Sequence, residues 1–170
     1  EKQAVMWYQK AADQGYARAQ YNLGWCYDSG HGVDEDVEQA IYWYEKAAEQ
    51  GHVSAQFNLA LTYEEHQEFD EHYQKMLKYF HMAAEQKHGG AINNLGYCYE
   101  HGEGVEQDYA QAVAYYEQGA ALEHPGSTCN LGYCYEKGRG VKQDFDKAFI
   151  YYLKSAELGD CVGLYNVGWC

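Results

Sequence analysis

Apolar residues recur along this chain at spacings of three and four, the spacing of one face of an α-helix. In the stretch 37–50 that face consists of Val37, Ala40, Ile41, Tyr44, Ala47 and Ala48. In the stretch 53–65 it consists of Ala55, Leu59, Ala60 and Tyr63. Gly51 lies between the two stretches, where a left-handed residue commonly caps a helix end. The pattern therefore predicts two amphipathic helices joined by a short turn.

The helix pair is one member of a repeat with a period of 36 residues. The triplet Asn22-Leu23-Gly24 returns as Asn58-Leu59-Ala60, Asn94-Leu95-Gly96, Asn130-Leu131-Gly132 and Asn166-Val167-Gly168. Most of the 19 Tyr and 18 Gly residues fall in columns of the same repeat. The predicted repeats are approximately 1–36, 37–72, 73–108, 109–144 and a truncated 145–170.

Helix pairs at this period predict an all-α superhelical solenoid, since no single pair buries its own apolar face. A compact bundle of ten helices is the structural alternative. The chain starts inside a predicted helix without an initiator Met and ends inside another, and neither end shows a polar capping repeat. We therefore expect the array to be part of a longer chain.

Paired glycines mark the loops between repeats. They are Gly30 and Gly32, Gly102 and Gly104, and Gly138 and Gly140. Two glycines one residue apart permit positive φ angles and a sharp reversal. Shortly after each loop comes an Asp predicted to cap the next helix: Asp36, Asp108 and Asp144.

The second repeat departs from this pattern. Residues 66–72 are acidic and contain His instead of paired glycines, Met76 replaces a small Ala, and Lys87 replaces a turn Gly. One interpretation of 66–72 is a local docking feature. The other is a degenerate repeat, which is tolerated because loops vary freely.

The full motif of each repeat is longer than the triplet. In residues 40–51 it comprises Ala40, Trp43, Tyr44, Lys46, Ala47, Ala48 and Gly51. In residues 91–105 it comprises Ala91, Leu95, Gly96, Tyr99, Gly102, Gly104 and Val105. This pattern resembles the Sel-1-like repeat, a relative of the tetratricopeptide repeat with a longer loop between helices. The resemblance covers the whole chain and implies a right-handed α-solenoid that serves as an adaptor or scaffold for other proteins.

The charge balance narrows the classes of partner. With 26 acidic and 12 basic residues, the net charge is −14, which argues against binding to nucleic acid or to anionic lipid. No apolar run is long enough to insert in a membrane. The predicted partner is a protein or peptide.

The six cysteines favour packing over chemistry. Four of them, Cys26, Cys98, Cys134 and Cys170, share one helix column. Packed helices lie about 8–10 Å apart, whereas a disulfide needs Cα atoms within about 7 Å, so a ladder of disulfides along the column is not expected. We predict buried thiols, which favours a reducing compartment such as the cytoplasm.

A secreted, cysteine-rich branch of the resembled family joins the two helices of each repeat by a cysteine pair. The corresponding positions here hold Ala12/Gln20, Ala48/Gln56, Ala84/Ile92, Ala120/Thr128 and Ala156/Leu164. That disulfide framework is therefore absent from this sequence.

Metal, cofactor and catalytic signals are weak. No Cys-x-x-Cys motif and no His pair four residues apart is present, and His66 with His72 is the only His cluster, so no metal or cofactor is predicted. The serines lack the Ser-x-x-Lys and Gly-x-Ser-x-Gly motifs. A Cys–His nucleophile pair stays open from sequence alone, but the recurrence of Cys in a packing column favours a protein that is not an enzyme.

The likeness to tetratricopeptide repeats implies that the helix carrying Leu-Gly lines a concave surface. The apolar part of that predicted binding strip is Tyr21, Trp25, Phe57, Leu61, Tyr97, Tyr133, Tyr165 and Trp169. Its polar part is Asp28, Glu64, Glu65, Asn93, Glu100, His101, Glu136 and Lys137. The column of Trp25, Leu61, Tyr97, Tyr133 and Trp169 is open to two interpretations, ligand contact or packing between repeats. The column of Tyr27, Tyr63, Tyr99 and Tyr135 is predicted to be core.

The sequence thus predicts a non-catalytic scaffold that binds a partner segment with basic and apolar side chains. Two alternatives stay open. One is a β-lactam-binding, hydrolase-like protein, prompted by the cysteine-rich branch; the other is a passive spacer that self-associates end to end.

Overall fold

The computed structural model describes residues 1–65 and 70–169, without the side chains of residues 70, 71, 161 and 169. The described residues contain ten α-helices and no strand, so the all-α prediction is confirmed. The helices are α1 (Lys2–Ala12), α2 (Ala17–Ser29), α3 (Val37–Glu49), α4 (Val53–Glu65), α5 (Asp70–Glu85), α6 (Gly89–His101), α7 (Tyr109–Ala121), α8 (Pro125–Lys137), α9 (Phe145–Glu157) and α10 (Cys161–Trp169).

The odd-numbered helices are the first helices of their repeats, called A helices below, and the even-numbered ones are B helices. The chain divides into two compact units, unit 1 (Glu1–Gln86) and unit 2 (Lys87–Cys170). Within unit 1 each helix of α1 to α5 packs on the next, and within unit 2 each helix of α6 to α10 does the same. Each B helix that has an A helix on both sides within its unit is therefore packed between them.

The predicted helix boundaries are confirmed at their caps. The Asp36 carboxylate accepts a hydrogen bond from the Gln39 backbone N–H at 3.0 Å, and Asp144 accepts one from Lys147 at 3.0 Å. Asp108 accepts two, from Ala110 at 2.9 Å and Gln111 at 3.0 Å. These bonds satisfy N–H groups that have no partner inside the helix.

The glycines predicted to reverse the chain have positive φ angles, which L side chains rarely adopt. Gly51 has φ 84°, and both glycines of each loop pair lie between 65° and 81°. Lys87, which replaces a turn glycine, has φ 63°, and Glu123 in the same column has φ 56°. These two residues hold a conformation that costs about 1–2 kcal/mol for a residue with a Cβ.

A tyrosine packed against a glycine joins neighbouring repeats. The rings of Tyr44, Tyr116 and Tyr152 are almost fully buried. A Cβ on Gly24 would lie 2.6 Å from the Tyr44 ring, and one on Gly96 would lie 2.5 Å from the Tyr116 ring. The Leu-Gly motif therefore exists because the tyrosine of the following A helix occupies the space where a side chain would be.

The second repeat is irregular. Helix α5 has 16 residues, whereas α3, α7 and α9 each have 13. Residues 66–69 lie outside the described part of the chain, so both interpretations of 66–72 stay predictions. Met76, which replaces the column alanine, is fully buried.

Candidate partner-binding faces

The acidic column predicted to rim the binding strip has internal partners. The Tyr44 hydroxyl donates to Asp28 at 3.2 Å, the Tyr116 hydroxyl to Glu100 at 2.8 Å, and the Tyr152 hydroxyl to Glu136 at 2.7 Å. Each bond joins a B helix to the A helix of the next repeat. Burial raises the pKa of the Tyr44 and Tyr116 hydroxyls well above the ordinary value for tyrosine, so both hydroxyls stay protonated and can donate.

Glu100 lies in the interior rather than at the rim that the sequence predicted. It is 4% exposed, and its carboxylate also forms an ion pair with the Arg139 guanidinium at 2.9 Å. A buried carboxylate requires such partners, because an isolated charge is expensive to remove from water. Arg139 comes from the glycine loop after α8 and was not among the predicted site residues.

In unit 1 the predicted strip is partly exposed. Trp25 on α2 is 42% exposed, with its ring centroid 5.1 Å from that of His31. Tyr21 is half-buried and stacks on His52 at 4.7 Å, and Leu61 on α4 is half-buried. We call the residues Tyr21, Trp25, Asp28, Phe57, Leu61, Glu64 and Glu65 the unit-1 face. Of its acids, Asp28 and Glu65 are exposed and Glu64 is half-buried.

In unit 2 the strip is exposed at Tyr97, which is 41% accessible and stacks on His101 with ring centroids 4.0 Å apart. Asn93 Oδ1 accepts from Ser127 Oγ at 3.3 Å and from Asn130 Nδ2 at 3.1 Å, so α6 and α8 lie side by side. We call the residues Asn93, Tyr97, His101, Tyr133, Glu136, Lys137 and Arg139 the unit-2 face. Tyr165 on α10 is 71% exposed, and the Trp169 side chain lies outside the described residues.

The neighbouring tyrosine column, which the sequence predicted to be core, packs between repeats but is only partly buried. Tyr63 is 4% exposed and Tyr27, Tyr99 and Tyr135 are half-buried. Tyr99 stacks on Tyr115 and Tyr135 on Tyr151, each with ring centroids 5.5 Å apart. For the adjacent column of Trp25 and Tyr97, exposure of about two fifths argues against a purely internal packing role.

The described thiols are buried, as predicted: Cys26, Cys98, Cys129 and Cys134. Burial raises the pKa of Cys129 to about 11 and that of Cys134 to about 12, so both are protonated at neutral pH. A protonated, buried thiol is a poor nucleophile and a poor metal ligand. Ser127 is also fully buried. The described residues contain no cluster of three or more His, Cys, Asp or Glu side chains arranged to hold a metal ion.

Hydrogen bonds join the positions that hold cysteine pairs in the cysteine-rich branch. Gln20 Nε2 donates to the Ala12 carbonyl at 3.2 Å, and Gln56 Nε2 donates to the Ala48 carbonyl at 3.1 Å. Both glutamines are buried. In these two repeats a buried amide links the paired helices where that branch has a covalent bond.

Histidine side chains cap three successive B helices, a role that the sequence reasoning missed. The Nδ1 atoms of His52, His88 and His124 each accept a backbone N–H from the residue three positions later at 3.2 Å. Burial lowers the pKa of all three, which favours the neutral ring that such a bond requires. Their 36-residue spacing was the signal available in the sequence.

Residues 1–16, 17–52, 53–68, 72–88, 90–124 and 125–160 match the model of the protein family described as Sel1 repeat. The chain is similar to a Sel1 repeat protein from Oxalobacter formigenes, with 35% identity and a TM-score of 0.89 over 98% of this chain and 66% of that one. It is also similar to c5321, a protective antigen of uropathogenic Escherichia coli with an SLR fold. That match has 33% identity and a TM-score of 0.89 over 99% of this chain and 36% of the other. These similarities confirm the predicted fold class, an all-α solenoid of helix-turn-helix repeats.

A curated rat protein, DAP3-binding cell death enhancer 1, is 50% identical over 34 residues. The match covers 20% of this chain and 7% of the rat protein. The chain thus spans a small part of that relative and about two thirds or less of the two similar crystal structures. Among the residues described here, no helix has the length and apolar character needed to cross a bilayer.

Proposed function

The chain belongs to the Sel1 repeat family, and on that premise we propose that it binds a partner segment through the exposed side chains of its B helices. Proteins of this family are generally interaction scaffolds and are typically non-catalytic. The binding residues would be those of the unit-1 face and the unit-2 face.

The observation that carries the proposal is the exposure of Trp25 and Tyr97. They occupy the same column of the repeat, and each leaves about two fifths of its surface in water. Trp43, on an A helix, is only 8% exposed. The His31 ring lies 5.1 Å from that of Trp25, and the His101 ring lies 4.0 Å from that of Tyr97. Exposed tryptophan and tyrosine side chains are typical anchors of protein interfaces.

On the unit-1 face the proposed partner chemistry follows from the exposed acids of that face. Asp28 and Glu65 are exposed, and Phe57 and Leu61 supply apolar surface on α4. A segment with basic and apolar side chains complements this face. The rat relative is named for binding another protein, which supports protein binding as a use of this repeat.

The test is capture of partners by the chain and by matched variants. Trp25→Ala and Tyr97→Ala remove exposed rings from the B helices, and Tyr42→Ala removes a ring that is 48% exposed on the A helix α3. Partners should be lost with the first two variants and retained with the third, with all three melting as the parent does. Retention by Trp25→Ala and Tyr97→Ala, or equal loss with Tyr42→Ala, would refute the assignment.

Self-association is a second candidate function, favoured by exposed apolar residues on the first and last of the described helices. Trp7 on α1 is 58% exposed, although Trp43 in the same column is 8% exposed. Leu164 on α10 is 59% exposed. If these surfaces pair between copies, sedimentation velocity should show assembly that grows with concentration and disappears in Trp7→Ala. A monomer at all concentrations would exclude this candidate.

A further inference from the structure

The charges of the unit-2 face are arranged with the cations outward. The side chain of Glu100 is 5% exposed and that of Glu136 is 21% exposed. Their cationic partners are more accessible, with Lys137 at 46% and Arg139 at 37%. Although the chain has a net charge of −14, the cations of these two pairs are more exposed to a ligand than the carboxylates, which also accept hydrogen bonds from tyrosine hydroxyls.

Both cations lie beside aromatic rings. Lys137 Nζ is 5.5 Å from the ring centroid of Tyr133, and Arg139 Cζ is 5.2 Å from the same ring. Tyr97 lies on the adjacent helix α6, which the Asn93–Asn130 hydrogen bond joins to α8. The face therefore combines two exposed cationic groups with two aromatic side chains.

The cations also have hydrogen-bonding capacity to spare. A lysine ammonium has three N–H donors and an arginine guanidinium has five. One donor of Lys137 is directed to Glu136 and one of Arg139 to Glu100. The internal bonds hold both side chains in place, so a ligand that bonds the remaining donors would lose less conformational entropy on binding.

We propose that the unit-2 face binds an acidic segment of a partner protein, in which carboxylates alternate with apolar or aromatic side chains. Carboxylates would accept hydrogen bonds from Lys137 and Arg139, and the apolar side chains would cover Tyr97 and Tyr133. This inference rests on the proposed function and gives the unit-2 face a partner chemistry opposite to that of the unit-1 face, whose exposed charges are Asp28 and Glu65.

The experiment measures fluorescence anisotropy of two labelled peptides against the full chain. In one peptide Glu alternates with Leu, and in the other Lys replaces each Glu. The variants are Lys137→Gln and Tyr97→Ala, with Lys142→Gln as the matched control, since it removes the same charge from an exposed lysine in the following loop. Arg139 is left intact because its loss would leave Glu100 buried without a cationic partner.

The acidic peptide should bind the parent chain, and its affinity should fall roughly threefold to tenfold in Lys137→Gln and in Tyr97→Ala. Lys142→Gln should bind as the parent does, and added salt should weaken binding. Equal affinity in Lys137→Gln and Lys142→Gln, or no binding of the acidic peptide, would overturn the inference. If only the Lys peptide binds and Asp28→Asn weakens it, the inference fails while the proposed function stands. If neither peptide binds and Trp25→Ala still captures partners, both fail.

Discussion

Replacing Glu100 by alanine tests whether the inward-facing carboxylates stabilise the contact between repeats. The Glu100 side chain is 5% exposed and accepts hydrogen bonds from Tyr116 at 2.8 Å and Arg139 at 2.9 Å. Its removal leaves the hydroxyl of a fully buried tyrosine without this acceptor, which costs about 1–3 kcal/mol. Loss of the ion pair adds about 0.5–1 kcal/mol, since Arg139 is 37% exposed and regains water.

The expected total for Glu100→Ala is therefore about 1.5–4 kcal/mol of unfolding free energy. Alanine variants of the equivalent acids should lose less unfolding free energy, and the loss should be smaller the more exposed the acid is. The Glu136 side chain is 21% exposed and Asp28 is exposed. In their alanine variants, water can therefore replace the lost carboxylate as the hydrogen-bond acceptor of the tyrosine hydroxyl. We expect Glu136→Ala to cost about 1 kcal/mol, and Asp28→Ala to cost about the same or less.

Urea unfolding followed by far-UV circular dichroism measures the series, with the urea dependence checked for each variant so that midpoints are comparable. Glu100→Gln serves as the conservative control, because its amide oxygen still accepts one of the two bonds while the charge is lost. A cost below about 0.5 kcal/mol for Glu100→Ala, or a larger cost for Asp28→Ala, would refute this account of the interface.

Three further changes probe separate parts of the fold. Gly96→Ala places a Cβ 2.5 Å from the Tyr116 ring and should destabilise by about 2 kcal/mol or more, measured by the same urea titration. Lys87→Gly relieves a φ of 63° and should stabilise by about 0.5–1 kcal/mol, the gain being reduced by the greater freedom of glycine in the unfolded chain. Burial lowers the pKa of His124 below its ordinary value of 6.5, so its contribution to stability is present above pH 6.5 and is lost as pH falls below it. The urea midpoint should therefore drop between pH 7.5 and pH 5.5, and by less in His124→Asn.

Each change has a control in the same chain. Gly168→Ala meets no atom within 4 Å and should be neutral or slightly stabilising, because alanine favours helix. Gly51→Ala imposes on alanine the positive φ that Lys87→Gly removes and should destabilise. His124→Asn keeps a capping side chain without titrating near neutral pH. Three results would contradict this reasoning: a Gly96→Ala variant as stable as the parent chain, a Lys87→Gly variant less stable than the parent, or a urea midpoint in His124→Asn that falls with pH as steeply as in the parent.

The burial of Glu100 makes this residue unsuitable for testing whether the binding strip contacts a ligand. Charge reversal at Glu100 would place a cation beside Arg139 in the interior and would unfold the repeat contact before it reported on any ligand. Exposed positions such as Trp25, Tyr97 and Lys137 are suitable for testing the face because substitutions there leave the core intact.

Much of the fold was predictable because each sequence pattern recurs in several repeats of the same chain. The asparagine–leucine–glycine triplet, the paired loop glycines and the capping aspartates recur at a fixed period, so sequence alone predicted the helix pairs, their caps and the buried cysteine column. The loop glycines and capping aspartates depend on neighbours within one or two turns of chain, and such local preferences can be read without coordinates. The triplet and the cysteine column depend on packing against other helices, and it was their recurrence every 36 residues that made them readable.

The repeat and its all-α fold follow from the amino-acid sequence alone. The direction in which the charged side chains of the B helices point depends instead on tertiary packing. Glu100 looks like a surface acid in the sequence, yet Tyr116 and Arg139, 16 and 39 residues away, bond it in the interior. The character of the unit-2 face therefore depends on which member of each ion pair is covered by the next repeat, and burial of that kind is set by packing between repeats rather than by the sequence of one helix.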